Sequence, residues 1–297
     1  MVTASHVLGT PAVVGPTPAL LDRWLSAVSL EASPTQVRKA GSLSDRLPAG
    51  AEVYLPILGS STLSDRVEAA RTLAKQGLRP VPHVAARRMV SLAALQDTLS
   101  QFRAVGATRL LVIAGDPDTP AGPFETSADL LETGLIGRAG FTAVDLAGHP
   151  EGLGHIPADT LDRVLADKCS RAHADGLSAR VVTQFVFEAG PVIAWERRLR
   201  SKGITVPIRV GLPGPAKVRT LLTYAMQCGV AASARMMAKR PSVTRLLGRW
   251  APVSVIADLV GHGVAHPDTL IDGIHVFPFG GLRLATEWLA DLKGDVS

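Results

Sequence analysis

Arg109-Leu110-Leu111-Val112-Ile113-Ala114-Gly115-Asp116 is a short apolar run closed by a glycine and a carboxylate. A run of this length, apolar at successive positions, reads as a strand buried on both faces, as strands of a parallel sheet are. The pattern recurs along the chain. Val28-Ser29-Leu30 ends in Glu31, Phe141–Ala147 ends in Gly148-His149-Pro150-Glu151, and Arg180-Val181-Val182-Thr183 ends in Gln184-Phe185. Polar residues at the C-terminal ends of several parallel strands are where α/β barrels keep their chemistry.

Working outward, the strand expectations are Ala27–Glu31, Glu52–Ile57, Pro80–Val84, Arg109–Ala114, Phe141–Ala147, Ala179–Phe185, Val206–Gly211 and Gly273–Phe279. Helical patterns lie between most of them: Leu63–Gln76, Ser91–Val105, Ala158–Ala174 and Ala189–Lys202, each followed at once or one residue later by Gly77, Gly106, Gly176 or Gly203. Alternating strands and helices with buried strands imply a parallel sheet, and eight such units predict a single (βα)8 TIM barrel. No G-x-G-x-x-G follows the first strand, against a dinucleotide-binding open sheet. About 60 residues separate the seventh and eighth strands, far longer than an ordinary connection. Lys217–Cys228, Ala231–Lys239, Val243–Trp250 and Val253–Gly261 are helical in pattern there. The expectation is one catalytic barrel domain over residues 1–297, with a helical insertion at about 214–262.

Composition bounds the function classes. Hydrophobic residues make up 46% of the 297, aromatic residues only 4%, so Val, Leu, Ile and Ala are expected to fill the core. The net charge of +5 is spread in short pairs without interleaved aromatics, which suits an anionic small molecule rather than a nucleic acid. Two distant cysteines, Cys169 and Cys228, argue for a reducing compartment. The start of the chain lacks a basic segment and is broken by Pro11, Pro16 and Pro18, a poor signal peptide, and no apolar run is long enough to span a membrane. A cytoplasmic protein is expected, with no membrane partner and a homo-oligomer left open.

Each strand end offers a chemical and a plain reading. Glu31 is a general acid if burial raises its pKa, or an exposed loop residue. His83, in Pro82-His83-Val84, is a ligand or proton carrier, or a satisfied core imidazole; Arg87-Arg88 beyond it could face a phosphate. Gly115 permits close backbone approach to a flat ligand and Asp116 fixes a negative charge able to steady a developing cation, or the pair is an Asp-Pro turn. His149, Glu151 and His155 admit a metal reading, weakened because strand one lacks the His-x-His pair of barrel metallohydrolases; no metal is expected. Gln184 can both donate to and accept from a heterocycle edge, and Phe185 or Phe187 can stack on a ring or fill the core. Gly280-Gly281 opens the last helix as a generic phosphate loop.

The ordered set Ser29-Leu30-Glu31, Pro82-His83-Val84, Ala114-Gly115-Asp116-Pro117, Gly148-His149-Pro150-Glu151-Gly152 and Thr183-Gln184-Phe185-Val186-Phe187 resembles the methylenetetrahydrofolate reductase family, from about Glu31 to the final strand. The resemblance implies a (βα)8 barrel that reduces 5,10-methylenetetrahydrofolate to 5-methyltetrahydrofolate with FAD and NADH or NADPH. It implies that Glu31 assists protonation of the folate, opening its ring to an iminium. Asp116 would steady that cation, and Gln184 would meet the pterin. Phe185 or Phe187 would pack beside folate or nicotinamide, and Arg283 would lie near the substrate. Gly115, His83, His149, Glu151, His155 and Lys168 would fall near the flavin and its phosphates.

The sequence also departs from that family. Pro56-Ile57-Leu58-Gly59 stands where Thr-Tyr-Gly is usual, Ala85 and Ala86 replace Thr and Cys, and Ala114 replaces an Arg before Gly-Asp. Several of these positions touch FAD in the family, so direct hydride transfer from NADH to the folate stands as the alternative. A non-catalytic folate- or flavin-binding barrel is a third reading.

Overall fold

The computed structural model describes residues 17–59, 61–154, 156–228, 230 and 248–294. Eight parallel strands close into a barrel: β1 (Ser29–Glu31), β2 (Glu52–Leu55), β3 (Arg79–Ala85), β4 (Arg109–Ile113), β5 (Ala143–Gly148), β6 (Ser178–Phe185), β7 (Ile208–Pro213) and, eighth in the barrel, β10 (Ile271–Phe277). Each pairs with its sequence neighbours and β10 returns to β1, with Ser29 opposite His275. All eight expected strands are present.

The helices ringing the barrel are α1 (Thr17–Ser26), α2 (Pro34–Ala40), α3 (Leu63–Lys75), α4 (Leu92–Ala104), α5 (Ser127–Glu132), α6 (Leu135–Arg138), α7 (Ala158–Ala174), α8 (Ala189–Ser201), α9 (Val218–Gln227), α10 (Val253–Ala265) and α11 (Leu282–Gly294). Their starts are written in side chains. Ser33, Thr62 and Thr126 each cap a helix with a reciprocal bond from the third residue on, Gln36, Asp65 or Asp129. Their ends are written in glycine. Gly77 takes φ +74°, which lets Leu78 N–H bond back to Leu73 C=O and drop its side chain into the core. The same six-to-one bond ends α4, α7 and α8 before Ala107, Leu177 and Ile204.

Between strands and helices the expected aliphatic filling is present. Leu30, Val53, Leu55, Val84, Leu110, Val112, Val144, Leu146, Val181, Val210, Leu212 and Val276 form one cluster with the inner faces of the helices. Inside the barrel the expectation needs correcting. A thin apolar layer of Val81, Leu111, Val182 and Ile113 surrounds Tyr54. Below it, toward the N-terminal ends of the strands, sits an ion cluster. Arg109 bonds Asp145 at 2.6 Å and Glu52 at 3.2 Å, and Arg180 bonds Glu52 at 2.7 Å and Asp145 at 3.0 and 3.1 Å. Arg209 lies 3.8 Å from both Glu52 and Asp272. Asp145 is wholly buried, and a buried carboxylate is tolerable only when paired and hydrogen-bonded, as it is here.

Ala216–Lys217 (β8) pairs antiparallel with Arg249–Trp250 (β9), forming a two-stranded ladder beside the barrel. The expected helix Val243–Trp250 is corrected at this end: Arg249 and Trp250 are extended, held by Ala216 and Lys217. The expected helix Ala231–Lys239 and residues 243–247 lie outside the described residues. Helix α10 packs on α8 and α1 in the outer ring. No helix among the described residues is long and apolar enough to cross a membrane.

Candidate active site

The C-terminal ends of all eight barrel strands share one rim, so the strand-end residues singled out above open on the same mouth. Glu31 is the last residue of β1. Its side chain is 19% exposed and its Oε1 lies 3.7 Å from Nε2 of His83, which comes up from the middle of β3. Burial raises the Glu31 carboxyl from 4.5 to about 8. Burial, with the Arg66 guanidinium behind it, lowers the His83 imidazole to about 3. At neutral pH the contact therefore joins a neutral acid to a neutral imidazole and is not an ion pair. Arg66 donates to the His83 backbone carbonyl at 2.9 Å and fixes this part of β3.

Asp116 stands exposed at the rim, two residues past the loop start at Ala114. Gly115 before it takes φ +97°, and a Cβ there would sit 3.0 Å from Ala85 Cβ, so β3 and the β4 loop touch through a glycine and an alanine. Arg87 staples this loop: its guanidinium donates to the carbonyls of Glu125 at 3.0 Å and Pro117 at 3.2 Å, and its backbone bonds Ala114 and Ala121. Two of its five N–H donors are thus taken up by the loop; Arg88 is exposed.

Helix α9 brings a residue that the sequence marked only as one of two distant cysteines. Cys228, just past its end and half-buried, has its thiol pushed up by burial and by the charges of both Glu31 and Asp116. The Cys228 thiol thus lies within electrostatic reach of carboxylates on β1 and on the β4 loop. Nothing local in the sequence signals this, because the contact is tertiary.

On the far wall, β6 bulges between Val182 and Phe185. Thr183 Oγ1 accepts from Gly211 N–H and donates to the Gln184 carbonyl, both at 2.8 Å, so the hydroxyl fills the gap in the ladder. Bulges re-aim side chains. Gln184 is half-buried here and its Oε1 accepts from Phe185 N–H at 3.1 Å. Phe185 and Phe187 are buried in an aromatic wall. Phe185 meets Phe187, Phe277 and Phe279 with ring centres 5.8, 5.6 and 4.9 Å away, and Phe187 meets Trp250 at 5.6 Å. Phe277, Phe279 and Tyr224 lie nearly parallel, 5.7 and 4.3 Å apart, in a ladder of rings from barrel to rim. A protein with so few aromatics gathers six of them beside this mouth.

After β5, His149 is half-buried, its imidazole lowered to about 4 by burial and by the ammonium of Lys168. Lys168 reaches in from α7, is buried, and donates to Ser127 Oγ of α5 at 3.4 Å; burial lowers its pKa. Glu151 follows on the same loop, half-buried. His155 lies outside the described residues. Arg283, in the first turn of α11, is largely exposed and pairs with Glu287 at 3.3 Å. Among the described residues no three His, Cys, Asp or Glu side chains form a group able to hold a metal. The mouth thus combines an acid kept neutral, a fixed rim carboxylate, an aromatic wall and a buried basic corner.

A family model described as methylenetetrahydrofolate reductase matches residues 40–265. Among solved structures, an uncharacterized protein from Clostridium thermocellum that binds two copies of 5-methyl-5,6,7,8-tetrahydrofolic acid overlays with a TM-score of 0.59 at 11% identity, over 93% of this chain and 98% of that one. Dihydropteroate synthase from Thermus thermophilus overlays with a TM-score of 0.46 at 15% identity, over 92% and 95%. At 11% identity the likeness to the Clostridium thermocellum protein is one of fold alone.

Proposed function

The chain belongs to the methylenetetrahydrofolate reductase family, and on that premise we propose that it interconverts 5,10-methylenetetrahydrofolate and 5-methyltetrahydrofolate, with NADH or NADPH as the hydride source. The observation that carries the reading is Glu31. A carboxyl at its ordinary 4.5 is protonated in about one molecule in 300 at pH 7, whereas one at about 8 is protonated in about nine of ten. Only the second serves as a general acid at neutral pH.

In this mechanism Glu31 protonates a nitrogen of the folate's five-membered ring. The adjacent C–N bond breaks and its electron pair stays on the protonated nitrogen, leaving an iminium on the other. Asp116 supplies the fixed negative charge that stabilises this cation. Addition of a hydride to the iminium carbon completes the methyl group. Gln184 orients the pterin edge, and the wall of Phe185, Phe187, Phe277 and Phe279 with Tyr224 excludes water beside it. Arg283, in the first turn of α11, would lie near the substrate. A tetrahydrofolate ligand in a solved structure of the same fold is in keeping with this substrate class.

The basic corner fits the phosphates of FAD: Lys168 is a buried ammonium whose hydrogen-bond partner among the described residues is a single hydroxyl, and His149 stands beside it. Lys168, His149, Glu151, His155, His83 and Gly115 would hold the flavin, which when bound carries hydride from nicotinamide to folate. The second reading, direct transfer from NADH, is favoured by Ala85, whose methyl lies against Gly115 where the family has a larger polar side chain.

The test is the visible spectrum of the isolated protein, followed by NADH oxidation with methylenetetrahydrofolate by native protein and Glu31→Gln. A flavin band together with turnover supports the first reading, and turnover without the band supports the second. Loss of folate reduction in Glu31→Gln is expected; full activity in that variant, or none in the native protein, removes the proposal.

A further inference from the structure

Tyr54 is the one tyrosine inside the barrel, is wholly buried, and was not marked by its sequence context. In the β1–β2 register it stands directly opposite Glu31. Its hydroxyl crosses the lumen: it donates to Asp145 of β5 in a short bond and accepts from Arg180 Nη2 of β6 at 2.7 Å. Strands β2 and β5 are not neighbours, so the ring lies across the interior. Its edges meet His275, with ring centres 4.5 Å apart, and His83 at 6.1 Å. His275 is itself pinned to Ser29 Oγ at 3.0 Å, two residues below Glu31 on the same strand. Asp145 cannot swing away, because Arg109 and Arg180 hold it from two other strands.

We infer that Tyr54 is a positioning residue for Glu31: anchored at its hydroxyl by Asp145 and Arg180, its ring is the floor that keeps water from the acid's carboxyl. The inference rests on the reading of Glu31 as the proton donor. The groups facing Glu31 leave the floor as the dominant control. His83 from β3 is neutral, Cys228 beyond α9 is a thiol, and His275 from β10 is buried and neutral behind the tyrosine. Asp116 acts from the rim. The charges around Tyr54 itself, Asp145, Arg180 and Glu52, are bonded to one another beneath the ring.

The experiment titrates Glu31 directly, by the infrared carbonyl band of its protonated carboxyl in native protein, assigned by its loss in Glu31→Gln. The same band is then followed in Tyr54→Phe, which keeps the ring and removes its anchor, and in Tyr54→Thr, which removes the floor. The band is expected to titrate near pH 8 in native protein. It should move down by more than about one unit in Tyr54→Thr, a more than tenfold loss of the acid form on the alkaline side, and by a smaller step in Tyr54→Phe. The alkaline limb of kcat/KM should follow. Unmoved midpoints in both variants, with only the Tm lowered, overturn the inference. Should Tyr54→Thr fail to fold, Tyr54→Phe decides: a shift of about half a unit or more supports the inference and no shift overturns it. A titration that moves as expected in a protein without folate reductase activity keeps the inference and removes the functional reading; activity with an unmoved band does the reverse.

Discussion

Replacing Glu31 with glutamine separates the electrostatics of the site from its chemistry. The Glu31 carboxyl is raised by burial from 4.5 to about 8, so the folded protein binds this proton more tightly than the unfolded chain does. The sign follows from linkage: the stability it contributes is complete below the unfolded value and is lost as pH rises toward and through the folded one. Each unit of pKa difference corresponds to about 1.4 kcal/mol, so between pH 5 and pH 9 the native protein should lose on the order of 4 kcal/mol from this one group. Glu31→Gln has the same shape as the neutral acid and nothing to ionise. It should be close to native stability at pH 5 and more stable by about that amount at pH 9. The assay is urea unfolding of both proteins at pH steps from 5 to 9, read as the difference between them. Taking the difference cancels His149, whose lowered pKa weakens the fold only on the acid side and equally in both proteins. A difference that stays flat across this range would mean that Glu31 is ionised in the folded state, and the general-acid argument would fall with it.

Two further outcomes follow from the geometry of the mouth. Asp116→Asn removes one of the two charges that raise the Cys228 thiol, so at pH 8 the thiol should react faster with a maleimide, a rate read by mass spectrometry; an unchanged rate would mean that Asp116 and Cys228 do not share the mouth. Gly211→Ala places a Cβ 2.4 Å from the Thr183 carbonyl oxygen and 2.7 Å from the Phe277 ring, so overpacking should cost about 1–3 kcal/mol in urea unfolding, and a variant of native stability would refute the close approach of β6, β7 and β10.

The strands were legible because burial on both faces leaves short apolar runs, and the helix ends because Ser, Thr and Gly mark them. The same double burial hid the barrel interior. Where both faces are buried, alternation no longer says which residues point inward. Asp145 in Ala143-Val144-Asp145-Leu146-Ala147 looked like one polar residue in an apolar run, Arg109 and Arg180 opened such runs, and Arg209 lay within the expected strand Val206–Gly211. Their pairing is a property of strands far apart in sequence, and no local pattern encodes it. Glu31 was legible as a strand-end carboxylate, but its neutrality was not. That depends on Tyr54 and His83, which meet it only when β1, β2 and β3 stand side by side. The nearness of Cys228 to Glu31 and Asp116 was hidden for the same reason. Trp250 read as helical because an apolar pattern does not distinguish a short ladder from a short helix.

The barrel interior divides into two electrostatic halves, and the division explains how one carboxyl stays neutral above three arginines. Arg109, Arg180 and Arg209 sit among Glu52, Asp145 and Asp272, close enough for each positive charge to have an acidic neighbour. An arginine left unmatched below the mouth would stabilise the Glu31 carboxylate and draw its pKa back toward the ordinary range. Asp145 binds both Arg109 and Arg180 and also receives the Tyr54 hydroxyl, so it neutralises the lower half and holds the ring that roofs it. Above that ring the inward groups are uncharged at neutral pH: the Glu31 acid, the His83 and His275 imidazoles and the Tyr54 phenol. Glu31 is thus desolvated without a compensating cation, the combination that leaves a carboxylic acid holding a proton it can give away.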